Sequence, residues 1–262
     1  MIDGPRKPAV KHWGQHFLHD GNIIGKIFAA IDPKNDEHFV EIGPGQGALT
    51  RPLLERAARV DAIEIDRDLV SALRSEITDE RFRVHSADAL KFDFSTLARG
   101  EIPMRMCGNL PYNISSPLLF HLLKTPKLFR DMHVMLQKEV VDRMAAEPGS
   151  RTYGRLTVAL KARCHVEKLF TIRPGSFVPA PKVDSAFVRL TPDEALRNRI
   201  GNEGSFNELI TRAFSMRRKT LANAVRGLVA TDIIEQLDID PGVRPERVTV
   251  EQFIALANAE RD

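Results

Sequence analysis

The sequence predicts an α/β protein built on a doubly wound parallel sheet. Three observations carry this reading. Short apolar runs alternate with amphipathic stretches from about residue 38 onward. The first of these runs ends in a glycine-rich turn, EIGPGQG. The ends of successive units then fall at Gly43, Glu64, Asp88 and Asn109, roughly twenty residues apart, as repeated βα units require.

The elements follow in order. HFVEI (38–42) reads as a strand, and the segment after Gly47 as a helix. Residues 60–65 form the next strand, followed by a helix through Leu69, Leu73 and Ile77 at helical spacing. Strands are expected at 81–84, 102–107 and 132–136, with a helix at 115–123. A loop dense in proline, PGSFVPAPKVDS, leads to a last strand-like run at 186–190. From Thr191 on the pattern is helical: 206–214, 221–228, 233–237 and 250–257. Thr249 followed by Gln252 is a capping-box start for the last helix. The boundary is placed near residue 190. This gives a domain over 1–190 with a basic N-terminal arm, and a small helical domain over 191–262.

Composition narrows the class. The chain has 262 residues, 43% hydrophobic and 28% charged, which suits a soluble globular protein. Two cysteines, Cys107 and Cys164, imply no disulfide framework and suit a reducing cytoplasm. No secretory signal and no membrane-spanning run is read from the sequence. The net charge of +3 is modest but unevenly placed. Arg6, Lys7 and Lys11 crowd the N-terminal arm, and Arg212, Arg217, Arg218, Lys219 and Arg226 crowd a segment near the C-terminus. Each cluster alone reads as a solvated face; two clusters around a nucleotide-type site point to nucleic acid. His12, His16 and His19 lack an accompanying cluster of acids or cysteines, so no metal site is expected.

The polar strand ends define a rim. Gly43, Gly45 and Gly47 allow a tight turn and a close approach of backbone to ligand. An acid at Glu64 is placed to accept from ribose hydroxyls, and Asp88 from an adenine amino group. This spacing admits a nicotinamide dinucleotide or S-adenosylmethionine. The glycines read G-x-G-x-G, and Glu41 stands two residues before the first. That suits a cofactor with a cationic amino-acid end better than a pyrophosphate. The fourth strand ends in GNLPYNIS, which sets an amide (Asn109), a backbone-fixing proline (Pro111) and a ring (Tyr112) together at a strand mouth. The tyrosine makes this look like a clamp for something flat and polar.

GQHFL, VEIGPGQGALT, IEID, SAD, GNLPYNIS, MLQKEVVDRM, FVPAPKVDS and RRKT occur in that order and cover nearly the whole chain. Together they closely resemble the bacterial KsgA-type ribosomal RNA adenine dimethyltransferases. The resemblance implies a Rossmann-like class I S-adenosylmethionine-dependent methyltransferase domain with a small helical C-terminal domain that binds RNA. It implies methylation at N6 of two adjacent adenosines in a hairpin near the 3′ end of small-subunit (16S) ribosomal RNA, twice at each, with a role in small-subunit biogenesis. The implied partner is the 30S subunit, and a monomer is the default expectation. Cofactor contacts carry over to His16, Leu18, Gly43, Glu64, Asp88 and Asn109. Two positions depart from the family pattern: His16 stands where asparagine is usual, and Ala180 where proline is usual.

The chemistry gives these residues roles. An exocyclic adenine amine is a weak nucleophile because its lone pair is delocalised into the ring. Asn109 and the Leu110 carbonyl are expected to accept from the N6 hydrogens and localise that lone pair. Pro111 aims the motif, and Tyr112 stacks on a base that has left its own stack. Phe177 is expected to close the other face. Arg217, Arg218 and Lys219 are expected to contact phosphates. Other readings are a large-subunit RNA target, a methyltransferase fold used only as a nucleic-acid binding factor, a small-molecule methyltransferase and, weakest, a nicotinamide oxidoreductase.

Overall fold

In the computed structural model the described residues are 15–259 other than 101, 113 and 217. The chain divides into two compact units, residues 1–138 with 168–190, and residues 139–167 with 191–262. The second unit therefore takes in 139–167, a stretch the sequence reading leaves in the first domain.

The first unit opens with β1 (Phe17–Leu18) and α1 (Gly21–Ile31). Asp20 caps α1 by accepting from the Asn22 and Ile23 amides, satisfying donors the first turn cannot. There follow β2 (His38–Ile42), α2 (Thr50–Leu54), β3 (Arg59–Glu64), α3 (Arg67–Glu76), β4 (Phe82–Ser86), β5 (Met104–Asn109), α4 (Ser115–Leu122) and β6 (Phe129–Gln137). The chain continues through α5 (Lys138–Met144), α6 (Arg155–Lys161), β7 (Cys164–Ile172), β8 (Phe177–Val178) and β9 (Ser185–Pro192).

The sheet has the order β4-β3-β2-β5-β6-β9-β7. The strands from β4 to β6 are parallel, as the alternation predicts. β9 departs from that expectation: it pairs antiparallel with β6, so the sheet is mixed. An antiparallel strand added beyond a parallel set is a common way to finish such a sheet. The chain leaves β2 toward β3 and β4 on one side and returns to β5 and β6 on the other. The order of connection therefore reverses between β2 and β5, and α/β sheets bind ligands at that switch point.

The middle strands are apolar almost throughout because both faces are covered. Phe39, Val60 and Cys107 share one cluster with Ile27 and Ile31 of α1, Leu53 of α2, and Val70 and Leu73 of α3. Each large side chain buried this way contributes on the order of 1.5–3 kcal/mol. Asp61 of β3 is wholly buried and accepts from His38 Nε2 and His85 Nε2 at 2.7 Å each and from Arg59 Nε at 2.5 Å. Burial alone would raise its pKa; those bonds outweigh it and hold the carboxyl well below the usual carboxylate range.

At Gly108 the backbone of β5 runs close against Ile42 of β2. A Cβ built there would lie 2.3 Å from the Ile42 carbonyl oxygen, a backbone atom with no side-chain freedom to yield. Gly108→Ala is therefore expected to force the two central strands apart. We expect a loss of about 1–3 kcal/mol in unfolding free energy, read from a lower denaturant midpoint. Unchanged stability would show that the strand pair tolerates the wider spacing.

The second unit holds α5 and α6 with α7 (Glu194–Asn198), α8 (Glu203–Ser215), α9 (Leu221–Ala224), α10 (Thr231–Gln236) and α11 (Val250–Asn258). The capping box at Thr249 and Gln252 is present, with both reciprocal bonds. The helix expected over 221–228 stops at Ala224, before Gly227 turns to a positive φ of 81°. Phe206, Leu209, Ile210 and Ala213 of α8 are buried, as are Phe253 and Ile254 of α11. The Phe214 and Phe253 rings lie 5.5 Å apart. Tyr153 donates its hydroxyl to the Val248 carbonyl at 2.9 Å. Arg163 pairs with Glu203 and sets its guanidinium 5.1 Å from the Phe206 ring, so residues 139–167 are tied into the helical unit by both apolar and charged contacts.

Candidate active site

A cavity of about 210 Å³ opens at the carboxyl ends of β2, β3 and β5. Its wall includes every residue assigned above to the cofactor: His16, Leu18, Gly43, Glu64, Asp88 and Asn109. Leu110, Pro111 and Tyr112 line it too.

The glycine turn is held in left-handed geometry, with φ of 67° at Gly43 and 57° at Gly45. A Cβ at Gly45 would sit 3.0 Å from the Phe17 ring, and one at Gly43 would sit 3.5 Å from the Asn109 carbonyl. Side chains here would strain the backbone and fill the cradle. Glu64 ends β3 with both carboxyl oxygens turned to backbone donors. Oε2 accepts from the Gly45 amide at 3.3 Å, and Oε1 from Ile65 and Asp66 at 2.9 and 3.0 Å. Burial raises its pKa against those bonds. Asp88 is half-buried and accepts from the Leu90 amide at 2.9 Å.

Glu41 also lines the cavity, 2% exposed, and accepts from the Thr50 hydroxyl at 2.6 Å. Burial pushes its pKa up to about 7; the Thr50 bond opposes this and the nearby Glu64 adds to it. The cavity thus holds two buried acids among apolar walls.

On the acceptor side, Asn109 Nδ2 donates to the His16 carbonyl at 2.8 Å. That bond uses the donor end of the amide; Oδ1 is its acceptor end. The Leu110 amide continues the ladder to Met135 at 3.1 Å and anchors the motif. The Tyr112 hydroxyl is 2.6 Å from Ser185 Oγ, and burial raises its pKa.

Phe177 is placed differently from expectation. It does not line the cavity; its side chain is 2% exposed and packs with Leu18, Ile172 and Phe187. The cause is the pairing of β8 with β1, which sets Phe177 opposite Leu18 and turns the ring into the core. A phenylalanine flanked by prolines reads the same in sequence whether its ring packs inside or waits at a mouth. Cys107 and Cys164 are both buried thiols without a disulfide. Among the described residues no group of three or more His, Cys, Asp or Glu could hold a metal. His12 lies outside the described residues. No helix among them is long and apolar enough to cross a membrane.

The second unit carries a separate, open groove of about 1150 Å³. Arg143, Arg151, Arg155, Arg218 and Arg244 line it, with Glu139 and Glu246 as its acids. Arg218 is one of the cations singled out in the sequence; Lys219 is exposed beside it, and Arg217, like Arg6, Lys7 and Lys11, falls outside the described residues. Of the remaining four arginines, three fall within residues 143–155 and the fourth is Arg244, and no unbroken run of charge marks them.

A glycine-cradled cavity at the switch point, with Glu64 ending β3, Asp88 just beyond β4 and an amide-proline-aromatic motif after β5, fits the nucleotide-type cofactor of a class I methyltransferase. The particular family follows from comparison with known proteins. The model of the family described as ribosomal RNA adenine dimethylase matches residues 7–261. The chain is 51% identical to ribosomal RNA small subunit methyltransferase A of Hahella chejuensis, over 95% of this chain and 92% of that protein. It is 50% identical to the protein of the same name from Nitrosococcus oceani, over 95% and 94%. Among solved structures it is similar to a dimethyladenosine transferase from Plasmodium falciparum, with a TM-score of 0.80 and 30% identity over 92% of this chain and 96% of that one. It is also similar to the 23S rRNA methyltransferase ErmE, with a TM-score of 0.70 and 25% identity over 92% and 98%. The chain belongs to the ribosomal RNA adenine dimethylase family. It is an RNA-modifying enzyme whose family and fold imply a cofactor of the S-adenosylmethionine type.

Proposed function

We propose that this enzyme uses S-adenosylmethionine to methylate N6 of two adjacent adenosines in a hairpin near the 3′ end of small-subunit ribosomal RNA, giving N6,N6-dimethyladenosine during small-subunit biogenesis in the cytoplasm. The observation that carries the reading is the single cavity that Leu18, Gly43, Glu64, Asp88 and Asn109 share with Tyr112. The choice of small-subunit RNA is supported by the relatives at about half identity that bear that name.

When bound, the cofactor supplies a methyl group made electrophilic by its sulfonium. The glycine cradle and Glu41 would face its cationic amino-acid end, Glu64 its ribose and Asp88 its adenine. Asn109 Oδ1 and the Leu110 carbonyl would accept from N6 of the target base, localising the lone pair on nitrogen. Tyr112, held by Ser185, would stack on the base, a contact worth roughly 1–3 kcal/mol. Methylation makes the nitrogen cationic and its proton acidic, so that proton leaves to water with no strong base required. Catalysis is then mostly orientation. Arg218 and Lys219, with the arginines of the second unit's groove, would neutralise phosphates, and binding would weaken steeply with salt.

The test uses labelled S-adenosylmethionine with under-methylated small subunits, and large subunits in parallel. Dimethyladenosine confined to small-subunit RNA on mass spectrometry is the expected result. Label in large-subunit RNA alone would transfer the target to the other subunit. No label in either would overturn the enzymatic assignment.

A further inference from the structure

Residue 16 is one of the two positions where this chain departs from the pattern of the family it resembles, and its side chain, at the cavity wall, engages the acceptor side. His16 Nδ1 lies 2.7 Å from the Pro179 carbonyl oxygen. Its ring stacks on Tyr112, with centroids 5.5 Å apart and planes 30° apart. Its own carbonyl accepts from Asn109 Nδ2 at 2.8 Å. One residue therefore touches the amide, the ring and the proline loop of the acceptor side.

The neighbours make this a built arrangement. Phe17 and Leu18 pair with Val178 and Phe177, so the strand carrying His16 is already zipped to the loop that carries Pro179. The His19 amide donates to the Ser176 carbonyl at 3.0 Å, extending that contact. Ser176 Oγ donates to Asp20 Oδ2 at 3.0 Å. At the other end Gln15 Nε2 reaches Asp66 Oδ2 at 3.3 Å.

We propose that the His16 side chain is a positioning residue for the target base: it latches the 177–181 loop through Pro179 and holds the Tyr112 ring in its stacking orientation. The chemistry of the contact is specific. A carbonyl oxygen only accepts, so Nδ1 carries a proton in the neutral ring as in the charged one, and the latch holds in either state. Nδ1 is bonded to Cγ, as is the amide nitrogen of asparagine. Asparagine can therefore make the same bond but offers no ring to Tyr112, while phenylalanine offers the ring and no donor. The role of the stack in base transfer rests on the function proposed above; the latch itself does not.

The experiment separates the two. Amide hydrogen exchange over residues 176–184 is measured in the wild type, His16→Ala, His16→Phe and His16→Asn. Affinity for S-adenosylhomocysteine is measured by calorimetry, and kcat and KM on under-methylated small subunits. Faster exchange is expected in His16→Ala and His16→Phe and wild-type protection in His16→Asn. The cofactor-product affinity is expected to stay within about threefold in all, while kcat/KM for subunits falls about tenfold in His16→Ala, the effect of one lost hydrogen bond. Unchanged exchange in His16→Ala overturns the latch. A tenfold loss of S-adenosylhomocysteine affinity with loop protection intact also overturns it, and makes the residue a cofactor ligand. A wild type that protects the loop but methylates neither subunit leaves the latch standing and removes the functional reading.

Discussion

Asn109→Ala is expected to lower methyl transfer by about 100- to 1000-fold, the scale on which losing one group aimed at a reacting centre is felt. The fold should survive. Asn109 ends β5, and its carbonyl faces Gly43 at the top of the sheet, away from the core cluster. The substitution removes the acceptor proposed for N6 and frees the His16 carbonyl from its donor. It leaves the Leu110 ladder bond to Met135 and the Tyr112–Ser185 contact in place. Rate should therefore collapse through kcat, with affinity for S-adenosylhomocysteine within a few-fold of wild type and an unchanged melting curve. Wild-type turnover would remove Asn109 from the mechanism. A protein that no longer melts cooperatively would show that the amide's bond to the N-terminal strand is structural.

Glu41→Gln is expected to stabilise the protein and weaken the cofactor. The sign follows from linkage. The folded carboxyl titrates at about 7 and an exposed one near 4.5. Between those values the unfolded chain loses its proton while the folded one keeps it, so this group lowers stability as pH rises through that window and costs its full amount above it. The shift corresponds to roughly 3 kcal/mol at most. Glutamine keeps the shape and can still accept from Thr50, so the variant should gain up to that amount at pH 8 and little at pH 4. A cationic ligand favours the ionised acid, so cofactor binding in the wild type should release a proton near pH 7. Calorimetry in buffers of different ionisation enthalpy reads that proton directly. In Glu41→Gln it should vanish, with affinity down about tenfold, as expected for the loss of one charge-assisted contact. Equal stability of variant and wild type at pH 8 would show that Glu41 is ionised at no cost.

Much of the site was legible along the chain. The glycines, Glu64, Asp88 and the Asn109 motif each stand at the end of an apolar run, and the parallel order of those runs forces their tips to one rim. α2, α3, α4 and the capping box of α11 likewise follow from local pattern, whereas α1 (Gly21–Ile31) precedes the alternation on which the reading rests and is not read from it. Other elements had no such signal. β7 reads CHVEKLFTI, with exposed and half-buried residues mixed along it, because it stands last in the sheet order rather than between covered faces. α5 and α6 span only seven residues each, too short for a helical period to declare itself. The place of α6 in the helical unit depends on packing against α8, which no local pattern reports.

The same division runs through the functional residues. Glycine at a positive φ, an acid at a strand end and a proline that stiffens a turn are consequences of near neighbours, and residues 43–47, 64, 88 and 109–112 were readable for that reason. Whether Phe177 points inward, whether His16 meets a carbonyl 163 residues away, and whether the arginines of 143–155 share one groove with Arg218 and Arg244 are long-range outcomes. They are set by how strands and helices bury their apolar faces, and burial is a property of the assembled fold that no short stretch of sequence contains.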